Sequence, residues 1–155
     1  DAYMFTNTLS TCQYKSFLEF EAYSKASTQG NRSMLVTQPV SPRSFFWEGE
    51  VTAHMSSATL AKLDLSKYDE KYVIKADFML LEGADSKPVR FFVQFDDMTY
   101  TASAMMNKGR KTTVTVPLSK FPTRERLYDL GFILNEILSG EEVKFVVDNI
   151  RFELK

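Results

Sequence analysis

Turn-forming residues interrupt this chain at intervals of strand length, and that spacing limits the fold more than any other feature. The breakers are Gln29-Gly30-Asn31, Pro39 and Pro42, Gly83 to Pro88, Asp96-Asp97, Asn107-Lys108-Gly109, Pro117 to Pro122, and Gly140. Short runs between regularly placed turns are the pattern of sandwiches and barrels. Side chains of successive strand residues point to opposite faces, and the runs show that period. Val89, Phe91, Val93 and Phe95 alternate with Arg90, Phe92 and Gln94. Tyr72, Ile74, Ala76, Phe78 and Leu80 alternate with Val73, Lys75, Asp77 and Met79 within Lys71 to Leu81. Thr99 to Met105 follows a tight Asp-Asp turn, so it pairs with the preceding run as a hairpin. Met34 to Thr37, Phe45 to His54, Lys111 to Val116, Leu130 to Leu134 and Glu142 to Leu154 complete a set of about eight strands.

Three segments read ambiguously. Thr59 to Tyr68 looks helical in pattern but is read as a loop or a strand leading into Lys71. Thr123 to Leu130 suits a short helix or a turn. Ser16 to Ser24 suits a strand or one helical turn, within a first 27 residues that carry the weakest pattern.

A chain of 155 residues fits one domain with its own core. The 13 Phe and 7 Tyr, with many Val and Thr, favour a pleated, half-buried surface. A net charge of −1 exerts no long-range pull on polyanions, so nucleic acid is not an expected partner. No apolar run is long enough to cross a bilayer, so membrane insertion is not expected either. The one cysteine, Cys12, excludes an internal disulfide and reads as a small buried hydrophobe.

Catalytic signatures are absent. There is no phosphate-cradling loop, dinucleotide fingerprint, nucleophile elbow or metalloprotease motif. His54 is the only histidine, which leaves no triad to build. Glu48 and Glu50 share one strand face and Glu82 follows another strand. Two carboxylates about 5–10 Å apart can hydrolyse a glycosidic bond, but pairs two residues apart are common on solvated strands. No catalytic residue is therefore assigned.

Several phrases occur in the order found in carbohydrate-binding modules of the galactose-binding-like jelly-roll class, which the chain resembles. They are GNRSMLV at Gly30 to Val36, LDLSKYDEKYVIKADFML, VRFFVQFDDMTYTASAMM, KTTVTVPLSKF, DLGFILN and VKFVVDNIRFEL. The opening phrase of that class is represented only by Phe20-Glu21, without its glycine. The resemblance implies an all-β fold, a two-sheet antiparallel β-sandwich of jelly-roll type, over one domain. It also implies a non-catalytic module that targets a parent enzyme or surface protein to a polysaccharide. Such a module would be secreted, periplasmic or on a bacterial cell surface, within a larger multidomain protein. Two rivals stand beside it: an adhesive sandwich that binds protein, and a small jelly-roll lyase or hydrolase. Arg90, Gln94 and Tyr100 faintly echo the lyase, but its Arg-Glu and Gln-Ile-His strand motifs are missing.

The candidate saccharide residues are Trp47, Asp77, Arg90, Phe92, Gln94 and Tyr100. Sugar rings stack apolar faces on aromatic planes while placed polar groups take their hydroxyls. Three consecutive aromatics, Phe45 to Trp47, cannot all face the core of one alternating strand. Arg90, Phe92 and Gln94 share the face opposite the core residues of their strand. Asp148 falls between Val146 and Ile150 on the apolar alternation, where an unpaired carboxylate is costly. The resemblance implies that Asp148 helps hold a structural calcium, with Glu21 as the partner carboxylate. The alternative is that Asp148 accepts hydrogen bonds from loop amides or pairs with Arg151.

Overall fold

The computed structural model describes residues 3–4, 9–12, 19–38, 50–55, 64–96, 98–135 and 142–155. In chain order the strands are β1 (Tyr3–Met4), β2 (Leu9–Cys12), β3 (Glu19–Tyr23), β4 (Ser33–Gln38), β5 (Glu50–Met55) and β6 (Tyr72–Glu82). They continue as β7 (Ser86–Phe95), β8 (Met98–Asn107), β9 (Lys111–Pro117), β10 (Leu127–Asn135) and β11 (Val143–Leu154). A first sheet has the order β3-β4-β11-β6-β9, with β1 also paired to β11, and a second has the order β2-β5-β10-β7-β8. Every ladder is antiparallel. The two-sheet sandwich expected from the turn spacing is what forms.

The alternating residues meet between the sheets. Ile74, Ala76, Phe78 and Leu80 of β6 and Val89, Phe91, Val93 and Phe95 of β7 belong to one buried core. Phe78 and Phe145 from the first sheet touch Phe91 and Phe132 from the second. The Phe78–Phe91, Phe78–Phe132 and Phe132–Phe145 centroids lie 6.4, 6.0 and 5.5 Å apart, all edge-on. Edge-to-face geometry suits the ring quadrupoles and adds to the area these rings remove from water.

Two turns fix the registers. Phe95 pairs with Met98, so the β7–β8 connection is two residues long, and Asp96 adopts φ 51°. Aspartate visits that left-handed region more readily than bulky residues. Gly83 has φ 102°, and a Cβ placed there would stand 2.0 Å from the Glu142 carbonyl oxygen. The absence of a side chain thus lets the β6–β7 turn lie against the chain entering β11.

The ambiguous segments resolve as follows. The run from Ser16 contributes a strand, β3. Residues 64–71 form turns rather than a helix, and 59–63 lie outside the described residues. The only helical turn among the described residues is a 3-10 turn at Leu118–Lys120, earlier than expected. The strand expected from Leu130 begins at Leu127. Of the strand expected from Phe45 to His54, residues 45–49 lie outside the described residues.

The expectation that Asp148 faces the core is wrong. Asp148 pairs with Asp77 and Arg151 with Lys75, so β11 carries one extra residue between these pairs. Asn149 supplies the bulge with φ 47°. A bulge shifts the phase of alternation. Val147, Ile150 and Phe152 therefore all reach the core, while Asp148 and Arg151 lie on the outer face.

Candidate functional site

The second sheet presents its outer face as rows of paired residues. One row runs Asp129, Gln94, Thr99 across β10, β7 and β8. The next runs His54, Gly131, Phe92, Thr101, beginning on β5. A third runs Thr52, Ile133, Arg90, Ser103. Arg90, Phe92 and Gln94 thus share one face on an internal strand, as their spacing predicts. Phe92 is only 5% exposed although it stands outside the core between the sheets. Arg90 and Gln94 flank it, each half-buried. The Gln94 amide donates to the Asp96 carbonyl at 3.1 Å, which orients it toward the β7–β8 turn.

Beside Gln94 lies a pair of residues that sequence reasoning missed. β10 has one extra residue between the pairs Leu127–Phe95 and Asp129–Gln94. Leu127 and Leu130 are both buried in the core. The two residues between them, Tyr128 and Asp129, therefore both turn outward, as bulges allow. Tyr128 is 55% exposed. The Arg126 guanidinium sits over its ring, 5.3 Å from the centroid. Arg126 Nε in turn lies 3.9 Å from Asp96 Oδ1, and the Thr123 hydroxyl donates to Asp96 Oδ2 at 3.2 Å. The signal was present in the sequence: two residues that suit a surface stand between two leucines, which breaks strict alternation.

Two of the expected saccharide residues are not brought to this face. Tyr100 pairs with Val93 and so points inward. Its ring meets Phe121 edge-on at 6.5 Å, with Lys120 Nζ 5.5 Å from its centroid. Asp77 belongs to the first sheet and faces outward on the opposite side of the sandwich. Trp47 lies outside the described residues.

Asp77 and Asp148 instead form the floor of a polar cluster on the first sheet, each 1% exposed. Asp77 receives the Thr113 hydroxyl at 2.7 Å and the Asn149 amide at 3.1 Å, and Arg151 Nη1 lies 3.1 Å from its Oδ1. Burial opposes its ionisation most strongly of any single effect. The donors Thr113, Arg151, Thr28 and Asn149 together outweigh burial and hold its carboxyl below the usual range. Asp148 Oδ2 accepts the backbone N–H groups of Thr28 and Gln29 at 2.7 and 3.1 Å, and Oδ1 accepts the Asn149 N–H at 2.7 Å. The Thr28 hydroxyl lies 2.9 Å from Asp77 and 3.1 Å from Asp148. These bonds fasten the β3–β4 connection to the centre of the sheet. Asp148 therefore holds loop amides, and Arg151 pairs with Asp77 rather than with Asp148.

This donor set does not fit calcium. The ion needs six or more oxygens, whereas the Asp77 and Asp148 oxygens are engaged by N–H, O–H and guanidinium donors. Asn149 Oδ1 is the one buried oxygen of the cluster without a partner among the described residues. Glu21 does not join Asp148. It is exposed, pairs with Leu35, and borders a surface depression with Glu19, Thr37, Glu142 and Lys144. No group of three or more metal-ligating side chains occurs among the described residues.

Neither a family model nor a curated protein matches this chain. Solved structures do. An exo-β-agarase overlays 99% of the chain with a TM-score of 0.67 at 12% identity, and the chain covers 24% of that protein. The C-terminal family 22 carbohydrate-binding module of Clostridium thermocellum Xyn10B overlays 99% of the chain and 91% of its own length, with a TM-score of 0.56 at 12% identity. The family 30 module of the Clostridium thermocellum cellulosomal cellulase Cel9D-Cel44B gives 90%, 87%, 0.54 and 10% for the same quantities. The fold is that of carbohydrate-binding modules. At such identities the likeness is one of backbone architecture, and it agrees with the order of sequence phrases. The chain spans about a quarter of the agarase's length.

Proposed function

We propose that this chain is a non-catalytic carbohydrate-binding module that seats a neutral polysaccharide on the outer face of its second sheet. One observation carries the reading: Arg90, Phe92 and Gln94 share the outer face of an internal strand, with Arg90 and Gln94 half-buried on either side of the ring. An ordinary solvated sheet face leaves such polar side chains in water. A sugar site needs an apolar surface with a few placed hydrogen-bonding groups. The fold is shared with modules whose names specify polysaccharides, including a family 22 xylan-binding domain. A family 22 module joined to a xylanase of Clostridium thermocellum was crystallised with xylohexaose.

The proposal assigns the chain no reaction of its own. Within the three rows Asp129 is the only described carboxylate, whereas glycosidic hydrolysis uses two. The module acts by local concentration, holding a catalytic partner in the same polypeptide near its substrate. That role places it outside the bacterial cytoplasm, where polymeric glycans are met. The adhesive rival asks for a contiguous apolar patch. The exposed large hydrophobics among the described residues are Met98, Met105, Tyr128 and Leu154, spread over three strands.

The test is affinity electrophoresis and calorimetry against neutral plant and algal polysaccharides, with Arg90→Ala and Gln94→Ala alongside. Each variant leaves a ligand hydroxyl without its partner, which costs about 1–3 kcal/mol and weakens binding about tenfold or more. Folding survives, since both side chains lie outside the core. Equal binding by both variants sinks the assignment of this face. Absence of binding to every glycan sinks the function.

A further inference from the structure

The bulge in β10 carries an aromatic side chain on the surface. Among the described residues Tyr128 is the only aromatic of the exposed large hydrophobics. Arg126 lies 3.9 Å from Asp96 and sits over the ring, 5.3 Å from its centroid. The Asp96 N–H also donates to the Arg126 carbonyl at 3.1 Å, tying the β7–β8 turn to the start of β10. The guanidinium lies over the ring, and more than half of the residue is exposed. Around it stand Asp129, Gln94 and Thr99, all polar. An apolar protein surface would find little to bury there. A ligand with an apolar ring face and hydroxyls at its rim matches the arrangement.

We propose that Tyr128 is a stacking platform for one pyranose ring, at the end of the glycan-binding face nearest the β7–β8 turn. Asp129 and Gln94 lie within reach of the hydroxyls of the same sugar. This inference rests on the glycan-binding reading above and extends it beyond Arg90 and Phe92. A ligand would run along β7 from the Arg90 row to Tyr128. A short oligosaccharide that covers only part of this path would bind more weakly than a longer one of the same linkage.

Calorimetry with xylohexaose, cellohexaose and a neutral agaro-oligosaccharide tests this, using wild type, Tyr128→Ala, Tyr128→Phe and Arg90→Ala. Tyr128→Ala is expected to weaken binding of the preferred probe by about tenfold. Tyr128→Phe keeps the ring and is expected to stay within about twofold, since stacking needs the plane and not the hydroxyl. Melting temperatures of both Tyr128 variants should match wild type, which separates lost contact from lost fold. Full binding by Tyr128→Ala, with Arg90→Ala impaired, overturns the platform and leaves the glycan site standing. Loss of binding in Tyr128→Phe equal to that in Tyr128→Ala overturns stacking as the mode. No binding of any probe by the wild type overturns the glycan reading, and the platform with it.

Discussion

Arg151 Nη1 lies 3.1 Å from Asp77 Oδ1, on the strand next to it, where the register also sets Asp148 opposite Asp77. Two carboxylates thus meet on the outer face of the first sheet, with the Thr28 hydroxyl between them and otherwise separate donors. A guanidinium, the Asn149 side-chain amide and two side-chain hydroxyls serve Asp77, while loop and strand backbone amides serve Asp148. The arrangement joins three segments far apart in sequence: the β3–β4 connection, the middle of β6 and the bulge of β11.

Arg151→Ala leaves the Asp77 carboxylate buried without its cation. Removing one partner of a buried pair costs about 3–5 kcal/mol. The Arg151 side chain is 14% exposed, so water can reach the gap, and the lower end of that range is expected. Urea denaturation should show a lower midpoint with an unchanged slope. An unaltered midpoint would mean that Thr28, Thr113 and Asn149 suffice.

Stability should fall in acid through Asp77. Its folded-state pKa lies below the ordinary value because hydrogen bonds outweigh burial. A depressed carboxylate stabilises the fold above its unfolded pKa, about 3.9, and that contribution is lost as pH falls through the lower folded value. Glu153 is depressed too, chiefly by its hydrogen bond with Lys75, but it is more exposed and contributes less. Thermal scans from pH 7 downward should show wild type and Asp77→Asn converging in strong acid. Parallel curves would assign the acid sensitivity to other groups.

Calcium should leave the melting temperature where a chelator leaves it, since the oxygens of Asp148 and Asp77 are already engaged. Asp148→Ala should still destabilise, by about 1–3 kcal/mol, because the Thr28 and Gln29 amides lose their acceptor. A midpoint that rises with calcium in the wild type and not in Asp148→Ala would restore a metal to this cluster.

Gly83→Ala and Gly109→Ala should differ although both glycines have positive φ. At Gly109 nothing lies within 4 Å of an added Cβ, so the cost is backbone strain alone, about 1 kcal/mol. At Gly83 the same methyl meets the Glu142 backbone, which adds about 1–3 kcal/mol of overpacking. Chemical denaturation of the two variants measures the difference. Equal costs would show that the chain before β11 gives way freely.

Most of the sandwich could be read from alternation, because β6 as far as Leu80 and β7 keep period two and each turns one face into the core. The Arg90, Phe92 and Gln94 face follows from that parity. Tyr100 was readable as well. A two-residue turn at Asp96 fixes Phe95 opposite Met98, which sets Tyr100 opposite the core residue Val93. Asp77 was correctly turned away from the core but given to the wrong sheet, since alternation fixes a face and says nothing of which sheet a strand joins. Asp148 and Tyr128 failed for another reason. Each lies at a bulge, where one added residue breaks the period on which the reading depends. Asn149 hinted at the first, as a residue that tolerates left-handed backbone.

β10 and β11 are the middle strands of their sheets, and each carries one of these extra residues. In both, the core positions before and after the bulge remain apolar and in register with their partners. Surface chemistry is thereby uncoupled from the hydrophobic code. Inserting a single codon is enough to add a platform on one side of the sandwich or a loop anchor on the other, with no core residue exchanged. Relatives that diverge in this way would differ by gaps at 128 and 149, and alignments that forbid a gap within a strand would misplace the residues that matter to function.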